Sequence, residues 1–391
     1  MVAEAVEPPS TSARARRIGQ GPAFAYFEGD DDAKARGLFR ILQEDGTCEP
    51  NDVARFDEAL TRRLYEGMLT IRVMDERLLA LQRQGRVSFY GEARGQEASV
   101  VGSAVPMEPH DWLVPALREA GAGIVRGMSL DSYVAQIYGN ANDVTKGRQM
   151  PCHPCDKANN YVVMSSCVAS QVPHAVGIAM AMKARGDKGK VCVGYMGDGG
   201  TSEGDFHVAI NFAGVFKAPV VLVCQNNQWA ISTPGTIQTA AETIALKGIG
   251  YGVEALRADG NDVFAVYEVM KYALDKARRG EGPTFVELLT YRVSAHSSSD
   301  DPSRYRDEDV TAVWRDQRDP IARVRRFMES RGWLDAAGHE RLAASIEANL
   351  REVIARQEAA GNPGLDTLVT DVYEEPTWLL REQLEAFRKG E

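Results

Sequence analysis

The chain has no apolar stretch that could cross a bilayer: no uninterrupted run approaches the ~18 residues a spanning helix needs. It also does not open on the basic-then-apolar pattern of a secretory signal, so export is not expected. Positive charge is in deficit. Lys and Arg number 45 against 55 Asp and Glu, a formal net charge of −10. A surface of that sign repels nucleic acid and anionic lipid, so neither nucleic acid nor membrane is an expected partner. Cysteine is scarce, at six residues. Cys192 and Cys224 sit in apolar runs, where a thiol acts as a small hydrophobe. "CHPC", from Cys152 to Cys155, lacks the second C-x-x-C that would complete a zinc site, and no redox-type strand–turn–helix surrounds it. Reduced thiols in a cytosol-like compartment are therefore expected. Residues 10–19, "STSARARRIG", have the Arg and Ser content of a transit peptide, but Glu4 and Glu7 count against one. The expectation is a cytoplasmic, bacterial-type chain, with the mitochondrial matrix second. Internal repeats and long low-complexity tracts are missing too.

What is present is ample core material, 44% hydrophobic over 391 residues. Residues 1–50, with Pro8, Pro9 and "GDDDAKARG", read as an irregular N-terminal arm, one that can wrap a partner. A main α/β domain is expected over 51–365 and a C-terminal tail over 366–391. Apolar residues at threes and fours from Leu60 to Leu81 predict a helix over 52–84, and a small-residue helix begins near Gln96. "KVCVGYM", "APVVLVCQ", "GVEALRADG" and "PTFVELLTY" read as strands. Helical patterns fall between them, near 204–216, 240–248 and 263–279. This alternation predicts an α/β fold with a mostly parallel sheet flanked by helices. Helical segments follow near 320–330 and 338–358.

The chemistry gathers at two strand ends. "VCVGYM" runs into the turn Gly197-Asp198-Gly199-Gly200, and the next strand ends at Gln225-Asn226-Asn227. Parallel neighbours place these ends on one sheet edge, where ligands bind in such folds. Gly197-x-Gly199-x-x-Ser202 comes near a dinucleotide fingerprint. That motif needs an acid at the end of the second strand, where this chain has amides, and Asp198 would repel a bare pyrophosphate. A bridging cation resolves the conflict. Mg²⁺ takes about six oxygens, which a carboxylate, an amide, a backbone carbonyl and two phosphates largely supply. Glycines let the backbone approach phosphate, and the following helix adds its dipole. A tight capped turn with no ligand is the plain alternative.

G-D-G followed by N-N resembles the metal–diphosphate motif of thiamine-diphosphate enzymes. "RQGRVSFYGEARGQEAS", "LREAGAGIVRG", "YGNANDVTKGRQMPCH", "SSCVASQVPHAVG" and "YRVSAHSSSDDPSRYR" resemble the alpha subunit of the decarboxylase component of two-oxo acid dehydrogenases. The resemblance runs from about Leu38 to the C-terminus, and "GRQMP" and "HSSSDDPSRYR" lean to the branched-chain member over the pyruvate member. It implies a thiamine-diphosphate-binding fold and oxidative decarboxylation of a 2-oxo acid with transfer of the acyl group to a lipoyl group. It implies Asp198, Asn227 and the Trp229 carbonyl as Mg²⁺ ligands, and a phosphate turn at Gly197, Gly199 and Gly200. It also implies Arg118 as a diphosphate partner, Ser166 and Val168 against the cofactor, and His296 as the active-site histidine. Ser165, Ser170 and Gln171 match a potassium-binding turn. Leu117 and Gln225 depart from the family, which commonly has Tyr and often Arg there. Read without the family, Val168 is ordinary core, His296 a solvated loop residue, and Ser165 and Ser170 a helix cap. Implied partners are a beta subunit, in an assembly of two alpha and two beta chains, and a lipoyl-bearing acyltransferase core. A pyruvate or acetoin dehydrogenase, a transketolase-like enzyme and a non-catalytic relative are the competing readings. The helix from Gln96 and the run Ala175, Gly177, Ala179, Ala181 are candidate contacts for the second subunit, or else interior packing.

Overall fold

The structure is a computed structural model that describes residues 25–390. Residues 10–19, with their transit-peptide composition, lie outside the described residues. Seven strands occur among them: β1 Trp112–Val114, β2 Cys192–Gly197, β3 Val220–Asn226, β4 Trp229–Ala230, β5 Thr233–Pro234, β6 Glu254–Asp259 and β7 Thr284–Leu289. Five form one sheet in the order β1-β2-β3-β7-β6, parallel throughout, and β4 and β5 make a small antiparallel ladder.

Strand periodicity sorts the sheet's side chains into two cores. Val193, Tyr195, Val221, Val223, Leu256 and Val286 join one cluster. Cys192, Met196, Val220, Leu222, Cys224 and Phe285 join the other. Each is essentially fully buried, and each fully buried aliphatic contributes about 1.5–3 kcal/mol. Helices α1 Glu58–Arg83, α2 Glu97–Ala104, α5 Val263–Arg278 and α6 Pro320–Ser330 supply residues to the first cluster. Helices α3 Gln171–Arg185 and α4 Gly204–Phe216 supply the second. The C-terminal helix α7, Ala336–Ala359, packs Leu350, Val353 and Ile354 against the second half of α1.

The pattern from 52–84 resolves into a 3₁₀ turn, Pro50–Val53, and then α1. Asp57 separates them, because its Oδ1 accepts from Leu60 N at 2.8 Å and caps the new helix. The helix expected over 240–248 does not form. Only the short helices Gly235–Gln238 and Leu246–Ile249 occur there. Between them Thr243 donates to Ala35 O and Ala245 N to Glu287 Oε2, so tertiary partners replace the helical ladder.

The described part of the N-terminal arm is not irregular. It holds the helices Ala25–Glu28 and Asp31–Arg36, and Phe39 bridges to Ala258 on β6. Asp262 Oδ2 accepts from the N–H groups of Ile41 and Leu42 at 2.6 and 2.7 Å, which seats Phe39 and Leu42 in the core. All of α2 is buried within this chain, so it is interior packing and not a docking surface. On α3 the small-residue run splits: Ala175 and Ala179 are buried, and Gly177 and Ala181 are exposed. The C-terminal tail contains the helices Thr367–Thr370 and Trp378–Lys389.

Candidate active site

The pairing of Gly197 with Gln225 on adjacent parallel strands brings the glycine turn and the asparagine pair to the same edge of the sheet. The chain turns at Asp198, passes through the 3₁₀ turn Gly199–Ser202, and enters α4. A side chain on Gly199 would meet Ala230 Cβ at 2.7 Å, so the turn lies directly against the β4 segment. A Cβ on Gly197, by contrast, would meet nothing within 4 Å, which leaves open space over the turn.

Asp198 is 1% exposed and its Oδ2 makes no hydrogen bond in the chain. Burial pushes its carboxyl up to about 6, against the opposing pull of its own and Gly199's N–H groups and of Arg292. Asn227 is buried. It donates from Nδ2 to Gln96 Oε1 at 3.1 Å and accepts at Oδ1 from Trp229 N at 3.2 Å. The Trp229 carbonyl accepts from Arg292 Nη1 at a long 3.4 Å.

Arg118 follows β1 and is buried. Its guanidinium donates to the backbone carbonyls of Glu92 and, at 2.8 Å, His296. Burial and the neighbouring Arg292 lower its pKa to about 10. The next residue, Glu119, is pushed up to about 7 by burial and accepts from Gln225 Nε2, which ties this loop to the end of β3. Gln225 Oε1 has no partner.

His296 is half-buried in the loop after β7. Burial, Arg118 and Arg292 together lower its imidazole to about 4. The backbone N–H of His296 donates to Asp300 Oδ2 at 2.7 Å, and the same oxygen accepts from the Tyr305 hydroxyl at 2.5 Å. Tyr305 in turn accepts from Arg292 Nη2 at 2.6 Å. The loop also pairs with residues before α2, through Ser298 N to Tyr90 O at 2.8 Å and Tyr90 N to Ser298 Oγ at 3.1 Å.

The turn of residues 165–171 closes a third side. Gln171 Nε2 donates to Tyr195 O at 2.9 Å, and a Cβ on Gly200 would lie 3.8 Å from Ala169 Cβ. Val168 is 60% exposed, which removes the ordinary-core reading. Ser166 contacts Nε2 of buried His153, whose Nδ1 pairs with Pro151 O at 2.9 Å. Ser170 sits at the start of α3 but makes no capping bond; its hydroxyl donates to Cys167 O, and Gln171 Oε1 is unpaired. The cap reading fails for that reason. The six cysteines are free thiols.

Sequence reasoning missed Arg292, a wholly buried guanidinium whose Nε has no partner. The signal was one charged residue three positions after the end of β7, at the edge already assigned to Asp198. It also missed Gln96 and Glu119. Unpaired buried atoms of Asp198, Gln225, Arg292, Gln171 and Gln96 all fall on the residues lining this edge or on their direct neighbours. Buried polar groups are normally paired, so this concentration fits a site that completes itself with a polar ligand. A carboxylate oxygen beside an asparagine amide, under a glycine turn with open space, is a donor set suited to a hard cation holding a diphosphate. Among the described residues there is no group of three or more His, Cys, Asp or Glu that could hold a metal ion.

The family model described as "Dehydrogenase E1 component" matches residues 65–366. A 2-oxoisovalerate dehydrogenase subunit alpha 2, mitochondrial, of Arabidopsis thaliana is 40% identical over 359 residues, covering 91% of this chain and 76% of the relative. The 2-oxoisovalerate dehydrogenase subunit alpha, mitochondrial, of Homo sapiens is 38% identical over 353 residues, 90% of this chain and 79% of its own. That of Dictyostelium discoideum is 39% identical, over 88% and 78%. These names overturn the cytoplasmic expectation, since each relative is a mitochondrial subunit. The expectation had rested on Glu4 and Glu7, two charges in a segment where composition alone decides little. No helix among the described residues is long and apolar enough to cross a membrane. The chain belongs to the dehydrogenase E1 component family, the thiamine-diphosphate-dependent 2-oxo acid dehydrogenases.

Proposed function

We propose that this chain is the alpha subunit of a branched-chain 2-oxo acid dehydrogenase and provides the diphosphate half of a cofactor site shared with a beta subunit. The names of its relatives support a substrate of the 2-oxoisovalerate class. The observation that carries the cofactor half is the buried, unpaired Asp198 oxygen at the mouth of the glycine turn. Asp198 and Asn227, with the Trp229 carbonyl, would hold Mg²⁺, while Arg118 and Arg292 would face the diphosphate. Gln171 Oε1 and the Ser165 and Ser170 hydroxyls would serve a potassium ion.

When bound, thiamine diphosphate supplies the carbanion chemistry by which a 2-oxo acid loses CO₂ and its acyl group passes to a lipoyl group. The protein's part is positioning and electrostatics. His296 is neutral near neutral pH, because burial and then two arginines disfavour its charged form, so it acts through a hydrogen bond and not through positive charge. A bound diphosphate beside Arg118 and Arg292 would offset the arginines' share of that effect. Asp300 fixes the backbone of His296, and Val168 offers an apolar wall.

The assembly is two alpha and two beta chains on a lipoyl-bearing acyltransferase core. The test is lipoyl-dependent turnover of 3-methyl-2-oxobutanoate against pyruvate by the assembled enzyme. Preference for the branched acid is expected; preference for pyruvate would reject the branched-chain assignment.

A further inference from the structure

Gln96 stands at the N-cap of α2, yet its side chain makes no capping bond. Glutamine is not among the preferred capping residues. Glu97 accepts from Gly95 N at 2.9 Å through Oε2 and from Arg72 Nε at 2.5 Å through Oε1. The Gln96 side chain, 0% exposed, goes elsewhere. Its Oε1 accepts from Asn227 Nδ2 at 3.1 Å, across 131 residues of sequence, and its own Nε2 has no partner.

An asparagine amide has two ends of opposite character. Only the oxygen can face a cation, and the NH₂ end would repel it. Asn227 Oδ1 lies on the side of Trp229, whose N–H it accepts. Its Nδ2 finds its acceptor in Gln96. Remove that acceptor and only the Trp229 N–H is left to favour one orientation of the amide over the other. We propose that Gln96 is a positioning residue of the metal site, holding Asn227 with its oxygen turned to the cation. The proposal rests on the reading of Asp198 and Asn227 as Mg²⁺ ligands. Partners of this kind, one bond behind a ligand, typically change metal affinity 10–100-fold when removed.

Two substitutions separate orientation from packing. Gln96→Met keeps length and removes the acceptor. Gln96→Glu, when ionised, keeps an acceptor and cannot donate, so it enforces the same orientation of Asn227. Mg²⁺ is titrated into the assembled alpha–beta enzyme at fixed thiamine diphosphate, and cofactor binding is read by calorimetry. Melting of the cofactor-free enzyme is recorded alongside. The half-saturating Mg²⁺ concentration should rise about 10–100-fold in Gln96→Met and stay near wild type or fall in Gln96→Glu. Equal weakening in both variants, with or without a lowered melting temperature, would mean a packing role and overturn the proposal. Wild-type Mg²⁺ dependence in Gln96→Met, while Asp198→Asn is shifted, would overturn it as well. If neither Gln96→Met nor Asp198→Asn shifts, the metal reading itself fails.

Discussion

Replacing Asp198 by Asn separates what this carboxylate costs the fold from what it gives the site. Burial raises its carboxyl from 3.8 to about 6. About two units at 1.36 kcal/mol each make the penalty for the ionised, unpaired group about 3 kcal/mol near neutral pH. The folded chain holds this proton more tightly than the unfolded chain does. The penalty is therefore full above about 6, shrinks as pH falls through that value, and is gone near the unfolded value of about 4. Asn keeps the shape and drops the charge. The cofactor-free variant should gain up to about 3 kcal/mol near neutral pH, with the gain fading on acidification. The order should reverse for the ligand: thiamine diphosphate affinity in saturating Mg²⁺ should fall at least about tenfold, about 1.4 kcal/mol. Denaturant unfolding without Mg²⁺ and calorimetric titration with it measure the two effects. A variant less stable than wild type near neutral pH, or one that binds cofactor equally well, would refute the reasoning.

Two further substitutions probe the histidine loop. His296→Ala should leave cofactor affinity nearly intact and lower turnover of the assembled enzyme about 10²-fold or more; normal turnover would return His296 to an ordinary loop role. Gly95 has φ +90°, and a Cβ there would lie 2.5 Å from Tyr291 O and 2.7 Å from Val293 Cγ2, at the root of the same loop. Gly95→Ala should cost about 1–3 kcal/mol in denaturant unfolding, and a cost under a few tenths would show that the loop yields freely.

The central α/β pattern was legible because β2, β3 and β7 carry dense apolar runs and the main helices a clear period. Helix α4 falls over 204–216 as expected, β6 and β7 lie within the segments read as strands, and β2 and β3 each run one residue past theirs. β1 escaped notice because three residues carry no periodicity. The false helix over 240–248 shows the opposite limit, where Thr243 and Glu287 draw the backbone into tertiary bonds that no local pattern encodes. At the site, Asp198 and Asn227 were readable because glycines and a strand end mark them. Arg292, Glu119 and Gln96 were not, since their meaning comes from partners as much as 131 positions away, as with Gln96 and Asn227. The N-terminal arm misled for a similar reason: Asp262 organises Ile41 and Leu42 from 221 and 220 residues away.

The account's central claim is that this chain holds one half of a shared cofactor site. Decarboxylation of 3-methyl-2-oxobutanoate by the purified chain, with thiamine diphosphate and Mg²⁺, measured before and after adding a separate beta subunit, tests it most directly. The account expects no turnover from the chain alone and turnover once the second chain is present. Full activity from the homogeneous chain, with no second polypeptide in the preparation, would contradict it.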